Sequence, residues 1–213
     1  GRLPPDASLV AVDLSDGMLD LARKRLSMPD DSSVRFVRGD ALNLLESHDA
    51  VDLIISTWVL GYIPLAPFFT AASTALKEGG LLAFVAHRDN SPREALEIFR
   101  RLVTEDPSVL LQGVDFDFPR DRAQLEELLR ASGLETRRFV EDQIVFPCQT
   151  PQAVLDHLLK SGAGTAYFNA VDPDRRDVMT DQFRASLKES KKAGEGYEVI
   201  HEYMSCVVRK RTM

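Results

Sequence analysis

Val10-Ala11-Val12-Asp13-Leu14-Ser15-Asp16-Gly17-Met18-Leu19 is the stretch from which the fold is read. A short apolar run ends in an acid, and a helix begins two residues later. That order describes a buried parallel strand, Ser8 to Asp13, which delivers one carboxylate to the carboxyl edge of a sheet. In open α/β sheets ligands bind at that edge, and an acid there can hold a pair of ribose hydroxyls. Ser15 caps a helix expected to run to about Leu26, with Met18, Leu19, Ala22 and Leu26 as its buried stripe. Asp16 and Asp20 lie early in it and Arg23, Lys24 and Arg25 late, which suits the helix dipole.

Outward from this unit the same alternation repeats. Residues 1–7 read as a polar lead-in and Pro29 to Ser33 as a loop. Val34 to Val37 is a second strand, followed by Gly39-Asp40-Ala41 and a short helix or turn. Val51 to Ile55 is a third strand, continuously apolar, as expected of a strand covered on both faces. After Ser56-Thr57-Trp58-Val59-Leu60-Gly61-Tyr62-Ile63 comes a helix from about Leu65 to Leu76, stopped by Lys77-Glu78-Gly79-Gly80 as a glycine C-cap. Leu81 to Ala86 is a fourth strand. Ser91-Pro92-Arg93-Glu94 reads as a capping box with Pro at the first helical position.

Asp106 to Phe118 reads as a loop, with at most one helical turn. A helix around Leu125, Leu128 and Leu129 ends at Gly133. Two long strands follow, Leu134 to Phe146 and Tyr197 to Arg209. Between them lie a helix from Thr150-Pro151, a break at Ser161 to Thr165, and a longer helix from about Asp174 to Lys192. The expected fold is α/β: a Rossmann-like, mostly parallel sheet with an antiparallel closing strand. A helical cap over residues 147–195 is inserted before the last strand.

Composition bounds the function. The chain has 213 residues, 44% of them hydrophobic and 28% charged, so one domain with a sizeable core is expected. A net charge of -7 argues against nucleic acid and anionic membranes as partners. No apolar run approaches the ~20 residues of a membrane span. The cysteines, Cys148 and Cys206, have no metal-ligand spacing and read as reduced packing residues, which places the chain in the cytoplasm. No metal site is expected.

Four ordered signals resemble the class I S-adenosyl-L-methionine-dependent methyltransferases of small molecules. They are Val12-Asp13-Leu14-Ser15 with Met18-Leu19, then Gly39-Asp40-Ala41, then Val51-Asp52-Leu53-Ile54-Ile55-Ser56, then Leu76-Lys77-Glu78-Gly79-Gly80-Leu81. The resemblance covers most of residues 8–146 and implies S-adenosyl-L-methionine as cofactor. It makes Asp13 the acid on both ribose hydroxyls, with a helix-capping acid as the alternative. Leu14 and Met18 become the wall against adenine, with core packing as the alternative. Asp40, otherwise a solvated turn acid, becomes the acceptor for the adenine amino group beside the Ala41 N–H. Ser56 and Thr57 fall beside the methionine part, and Trp58, Leu60 and Tyr62 between cofactor and acceptor.

The family also has a first strand and a glycine-rich loop, neither of which is in this sequence. Gly1-Arg2-Leu3-Pro4-Pro5 resembles the end of the helix after that loop. The expectation is thus a single methyltransferase-like domain over residues 1–213, N-terminally truncated and short of a central strand. The neighbouring strands would then carry unpaired buried groups at about 1–3 kcal/mol each, and cofactor binding would be weakened or lost.

His87, at the carboxyl end of the fourth strand, is the candidate base or acceptor ligand, with a loop histidine as the alternative. His48, His157 and His201 read as structural or solvated. The segment Thr150 to Ala163 also resembles the cap of methyltransferases that esterify the malonyl carrier-protein thioester in biotin synthesis. That implies carboxyl O-methylation and a carrier-bound acceptor. Tyr167 and Phe168 would face it or pack the cap. Two other readings stand beside methyl transfer: a non-catalytic interaction module, and a nicotinamide-dependent dehydrogenase, because an acid ending a strand suits that cofactor too.

Overall fold

The structure, a computed structural model, describes residues 7–26, 33–191 and 196–212. The lead-in over 1–6, most of the loop at 29–33 and the last residue of the expected long helix, Lys192, lie outside them. The elements are β1 (Leu9–Asp13), α1 (Asp16–Leu26), β2 (Val34–Arg38), α2 (Ala41–Glu46), β3 (Val51–Thr57), α3 (Leu65–Ala75), β4 (Leu76–His87) and α4 (Arg93–Glu105). Then come α5 (Arg122–Ala131), β5 (Leu134–Cys148), α6 (Pro151–Ser161), α7 (Thr165–Ala170), α8 (Arg176–Ser190) and β6 (Tyr197–Lys210).

β1 and β2 pair in parallel, as do β3 and β4. β6 runs antiparallel between β4 and β5, so β3, β4 and β5 point one way and the closing strand the other. The fold class is the expected one, but the sheet is in two pieces, β1-β2 and β3-β4-β6-β5. Among the described residues no strand joins β1 to β3.

Several expectations of burial are corrected here. On α1 only Leu19 of the predicted stripe is buried; Met18 and Leu26 are exposed and Ala22 is half-buried. β3 is not covered on both faces: Leu53 is 49% and Ile55 65% exposed. β1 holds no buried residue and β3 only Ser56. The side chains of the two strands are therefore not enclosed.

Two local signals also resolve differently. Lys77 to Gly80 do not cap α3. Leu76 turns extended at once because it pairs with Val51, and pairing resumes only at Leu53 with Leu81. The intervening residues loop out as a bulge, where Gly79 takes a positive φ and its carbonyl accepts from Arg209 Nε at 3.0 Å. Nor does Ser91 form a capping box. Pro92 occupies the cap position of α4, and Ser91 Oγ instead accepts from the Glu202 N–H at 2.7 Å. Glu94 reaches across to Ser190 and Lys191 on and beside α8.

Two cores hold the chain together. The first lies between α3, α5 and the four-stranded sheet, around Phe69, Leu65, Leu82, Leu125, Leu129 and Met204. Each such side chain contributes about 1.5–3 kcal/mol by leaving water. α2 lays Leu42 and Leu45 against it. The second core belongs to the cap and joins Ile98 and Leu102 of α4 to Val154 and Leu158 of α6 and Met179, Phe183 and Leu187 of α8. α4, outside the expected 147–195 cap, thus packs as part of it. Thr150 starts α6 by accepting from the Ala153 N–H, and Gly162 ends it at φ 86, in the left-handed region. α7, not anticipated, follows the break.

Candidate functional site

The acids that end β1 and β2 stand together. The Asp13 carbonyl accepts from the Gly39 N–H at 3.1 Å, which ties the two strand ends one residue before Asp40. Asp13 Oδ1 accepts from the Ser15 N–H at 2.8 Å, so one oxygen does serve the turn into α1. Oδ2 has no partner among the described residues. Asp40 is the N-cap of α2: its Oδ1 accepts from the N–H groups of Leu42 at 2.7 Å and Asn43 at 3.3 Å. Ala41, first in α2, has an N–H with no partner among the described residues, as expected at a helix start. Beside Asp13, Leu14 is 69% and Met18 55% exposed. An acid with a spare oxygen next to open apolar side chains is a surface that suits a ligand with a polar edge and a flat apolar face.

A second group forms where β3 and β4 end. Ser56 pairs with Phe84 and Thr57 with Val85; Ser56 is buried and Thr57 exposed. Trp58 turns at φ 62 while its N–H donates to the Val85 carbonyl at 2.8 Å. Its ring lies 4.5 Å from that of His87 and 5.7 Å from that of Tyr203. Gly61 is demanded by space as well as by its φ of 102, since a Cβ there would fall 1.8 Å from the Phe118 ring. Tyr62 packs edge-on against Phe116 and Phe118 and donates its hydroxyl to the Gly162 carbonyl at 3.4 Å.

α2 relates the two groups, since it packs on both β1 and α3. The structure therefore gathers Asp13, Leu14, Met18, Asp40 and Ala41 in one place, and Ser56, Thr57, Tyr62 and His87 in another.

His87 is buried, and burial pulls its pKa down to about 4. It is a neutral, weakly basic imidazole at neutral pH. Its ring stands 5.2 Å from that of His201, whose pKa is also about 4 through burial and the neighbouring histidines. His201 Nε2 shares a proton with His157 Nε2 at 2.8 Å, while the Nδ1 atoms of His87 and His201 are buried without a partner among the described residues. Burial pushes the Tyr62 and Tyr167 phenols up, so both stay protonated donors.

Sequence reading missed the segment Phe116-Asp117-Phe118, taken as plain loop. Asp117 Oδ2 accepts from the Leu65 N–H at 2.7 Å, which caps α3, and its own N–H donates to the Gly61 carbonyl at 2.9 Å. Two aromatics flanking an acid were the available signal. The pairing of His201 with His87 left no such mark, because strand register alone brings them together.

Residues 1–80 match the family whose description is methyltransferase domain. No curated protein matches the chain by sequence. A candidate methyltransferase from Bacillus halodurans superposes with a TM-score of 0.60 at 19% identity, over 97% of this chain and 84% of its own. The YcgJ protein of Bacillus subtilis gives 0.58 at 17%, over 97% and 83%. The cyclopropane synthase MmaA2 of Mycobacterium tuberculosis gives 0.51 at 15%, over 96% and 70%. The chain shares the Rossmann-like α/β fold of these structures, and its first 80 residues match a methyltransferase-domain family.

Proposed function

We propose that the chain transfers a methyl group from S-adenosyl-L-methionine to a small-molecule acceptor. One observation carries this reading: Asp13 and Asp40 end two paired strands, joined through Gly39 and Asp13, beside exposed Leu14 and Met18. The residues fit a nucleoside. Asp13 keeps Oδ2 for ribose hydroxyls, Leu14 and Met18 offer an apolar wall to adenine, and Asp40 with the Ala41 N–H offers an acceptor and a donor to its edge. Ser56 and Thr57 would meet the methionine part. When bound, S-adenosyl-L-methionine supplies a methyl group on a positively charged sulfur, open to in-line displacement.

The chain's own part is to align the acceptor and exclude water. Trp58 against His87, and Tyr62 against Phe116 and Phe118, supply aromatic faces for this. His87 is too weak a base at pKa about 4 to take a proton efficiently at neutral pH. That favours an acceptor already deprotonated, a carboxylate, and agrees with the cap's resemblance to carboxyl methyltransferases. The acceptor is then a small acid, free or carrier-bound. Nucleic acid is disfavoured by the net charge of -7. Among the described residues no helix is long and apolar enough to cross a membrane. Free, buried Cys148 and Cys206 suit a cytoplasmic setting.

The interaction-module reading is favoured by a different observation, the open apolar residues Leu53 and Ile55 on β3. Calorimetric titration with S-adenosylhomocysteine separates the two. Saturable binding, weakened tenfold or more in Asp13→Ala, is expected for the enzyme; loss of a charge-assisted contact of ~1.5–3 kcal/mol gives that factor. A folded chain that shows no binding leaves the module.

A further inference from the structure

α4, α6, α7 and α8 surround a cavity of about 60 Å³, set in a recess of about 540 Å³ counted out to its open mouth. Leu96, Phe99, Leu155, Phe168, Met179 and Phe183 form its walls. No charged side chain lines it among the described residues; Tyr167 and Thr180 bring the polar side chains. Water gains too few hydrogen bonds in such a space to be held there, whereas an apolar group gains contact on every side.

The cavity is not isolated from the candidate site. Tyr167 in its lining packs on Phe99 at 4.8 Å and on Phe116 at 5.4 Å. Phe116 packs on Tyr62 at 5.0 Å, and Tyr62 on Phe118 at 5.3 Å. Phe118 in turn meets His87 at 6.0 Å. Tyr62 also bonds to Gly162, next to Ala163 and Gly164 of the lining. A continuous aromatic row thus runs from the strand ends to the cavity mouth. A small void that opens into a wider, apolar-lined recess suits an alkyl chain, which can bend to place part of its length in each.

We propose that the cap cavity binds the alkyl chain of an aliphatic carboxylic acid, with its carboxylate held toward Tyr62 and Tyr167 at the aromatic row. This rests on the methyl-transfer reading for the word acceptor, but the cavity's occupancy can be measured without it. The division of labour is physical: apolar contact inside the cap sets chain length, and the neutral phenols orient the polar end, Tyr167 directly and Tyr62 by exchanging its 3.4 Å bond to the Gly162 carbonyl for one to the carboxylate.

The test is calorimetric titration of the whole chain with decanoate and with butanoate, with and without S-adenosylhomocysteine. Decanoate should bind saturably, one per chain, at least tenfold more tightly than butanoate. Ala163→Leu and Leu155→Phe each push a larger side chain into the cavity and should weaken decanoate at least tenfold. Thermal melts identify which of the two is folded, and S-adenosylhomocysteine binding should persist in it. Absence of saturable decanoate binding, equal affinity for both acids, or unchanged affinity in a folded variant overturns the proposal. Decanoate binding by a folded chain that does not bind S-adenosylhomocysteine supports the cavity and overturns the methyl-transfer reading.

Discussion

Among the described residues of the β1–α1–β2 unit only Leu19 is buried, while Leu14, Met18, Leu21 and Leu26 face solvent. In the cap, α4, α6 and α8 have comparable apolar spacing and bury nearly all of it in a shared core. The unit has one helix and two strands, and among the described residues its helix packs mainly on those strands. The cap has four helices and the side of β6, so every apolar stripe finds another. Amphipathic spacing states which residues want to leave water; the number of neighbouring elements decides which of them do. Asp13, Leu14 and Met18, the candidate nucleoside residues, lie in the open unit, and the proposed acceptor cavity lies in the closed one.

Acid should break the closed region first. His87 and His201 stay neutral down to about pH 4 in the folded chain, against 6.5 for an ordinary imidazole. The unfolded chain takes up protons from about 6.5 downward. Stability is therefore full above that value and falls as pH drops from 6.5 to 4; below 4 these rings remove no more. The gap corresponds to roughly 3 kcal/mol per ring. Denaturant midpoints across this range, read by the fluorescence of Trp58 against His87, should decline steeply, and His201→Phe should remove about half the decline. A flat profile would mean that the rings are wet and the two regions differ less than described.

Cavity formation in the first core comes next. Phe69 is fully buried against Phe68 and Phe84. Phe69→Ala should remove about 3–5 kcal/mol of stability, seen as a lowered urea midpoint. A loss below 1 kcal/mol would put this core in the same loosely packed class as the β1–α1–β2 unit.

Much of this contrast was written in the residues, and the rest depended on partners. Strand ends such as Val12-Asp13 and Phe36-Val37-Arg38-Gly39 were legible because an apolar run followed by an acid or glycine is a local signal. The break at Gly162 was legible for the same reason, since a left-handed φ favours glycine. The end of α3 was not: Lys77 to Gly80 resemble a cap, but pairing of Leu76 with Val51 had already drawn the chain into a strand. Exposure of Ile55 was not legible either, because it depends on what lies across the sheet. In the candidate site, Asp13 was readable from its position at a strand end, and Asp40 only through the resemblance. His201 was not, because its meeting with His87 arises from the register of β6 on β4.

The smallest stability effect is the most informative. Met18 lies on α1 with its side chain in solvent, one turn from Ser15, whose hydroxyl accepts from the Met18 N–H at 3.4 Å. Met18→Ala therefore removes almost no buried contact and keeps a good helix former, so the urea midpoint should move by no more than about 0.5 kcal/mol. The same substitution strips the apolar wall beside Asp13, and S-adenosylhomocysteine affinity should fall several-fold in calorimetry. A residue that matters to a ligand and not to the fold is what an exposed functional side chain predicts. If stability falls by 2 kcal/mol or more, Met18 is packing against something, and the open unit is closed in solution. If neither quantity moves, Leu14 and Asp13 hold the nucleoside without it, and the wall is one residue wide.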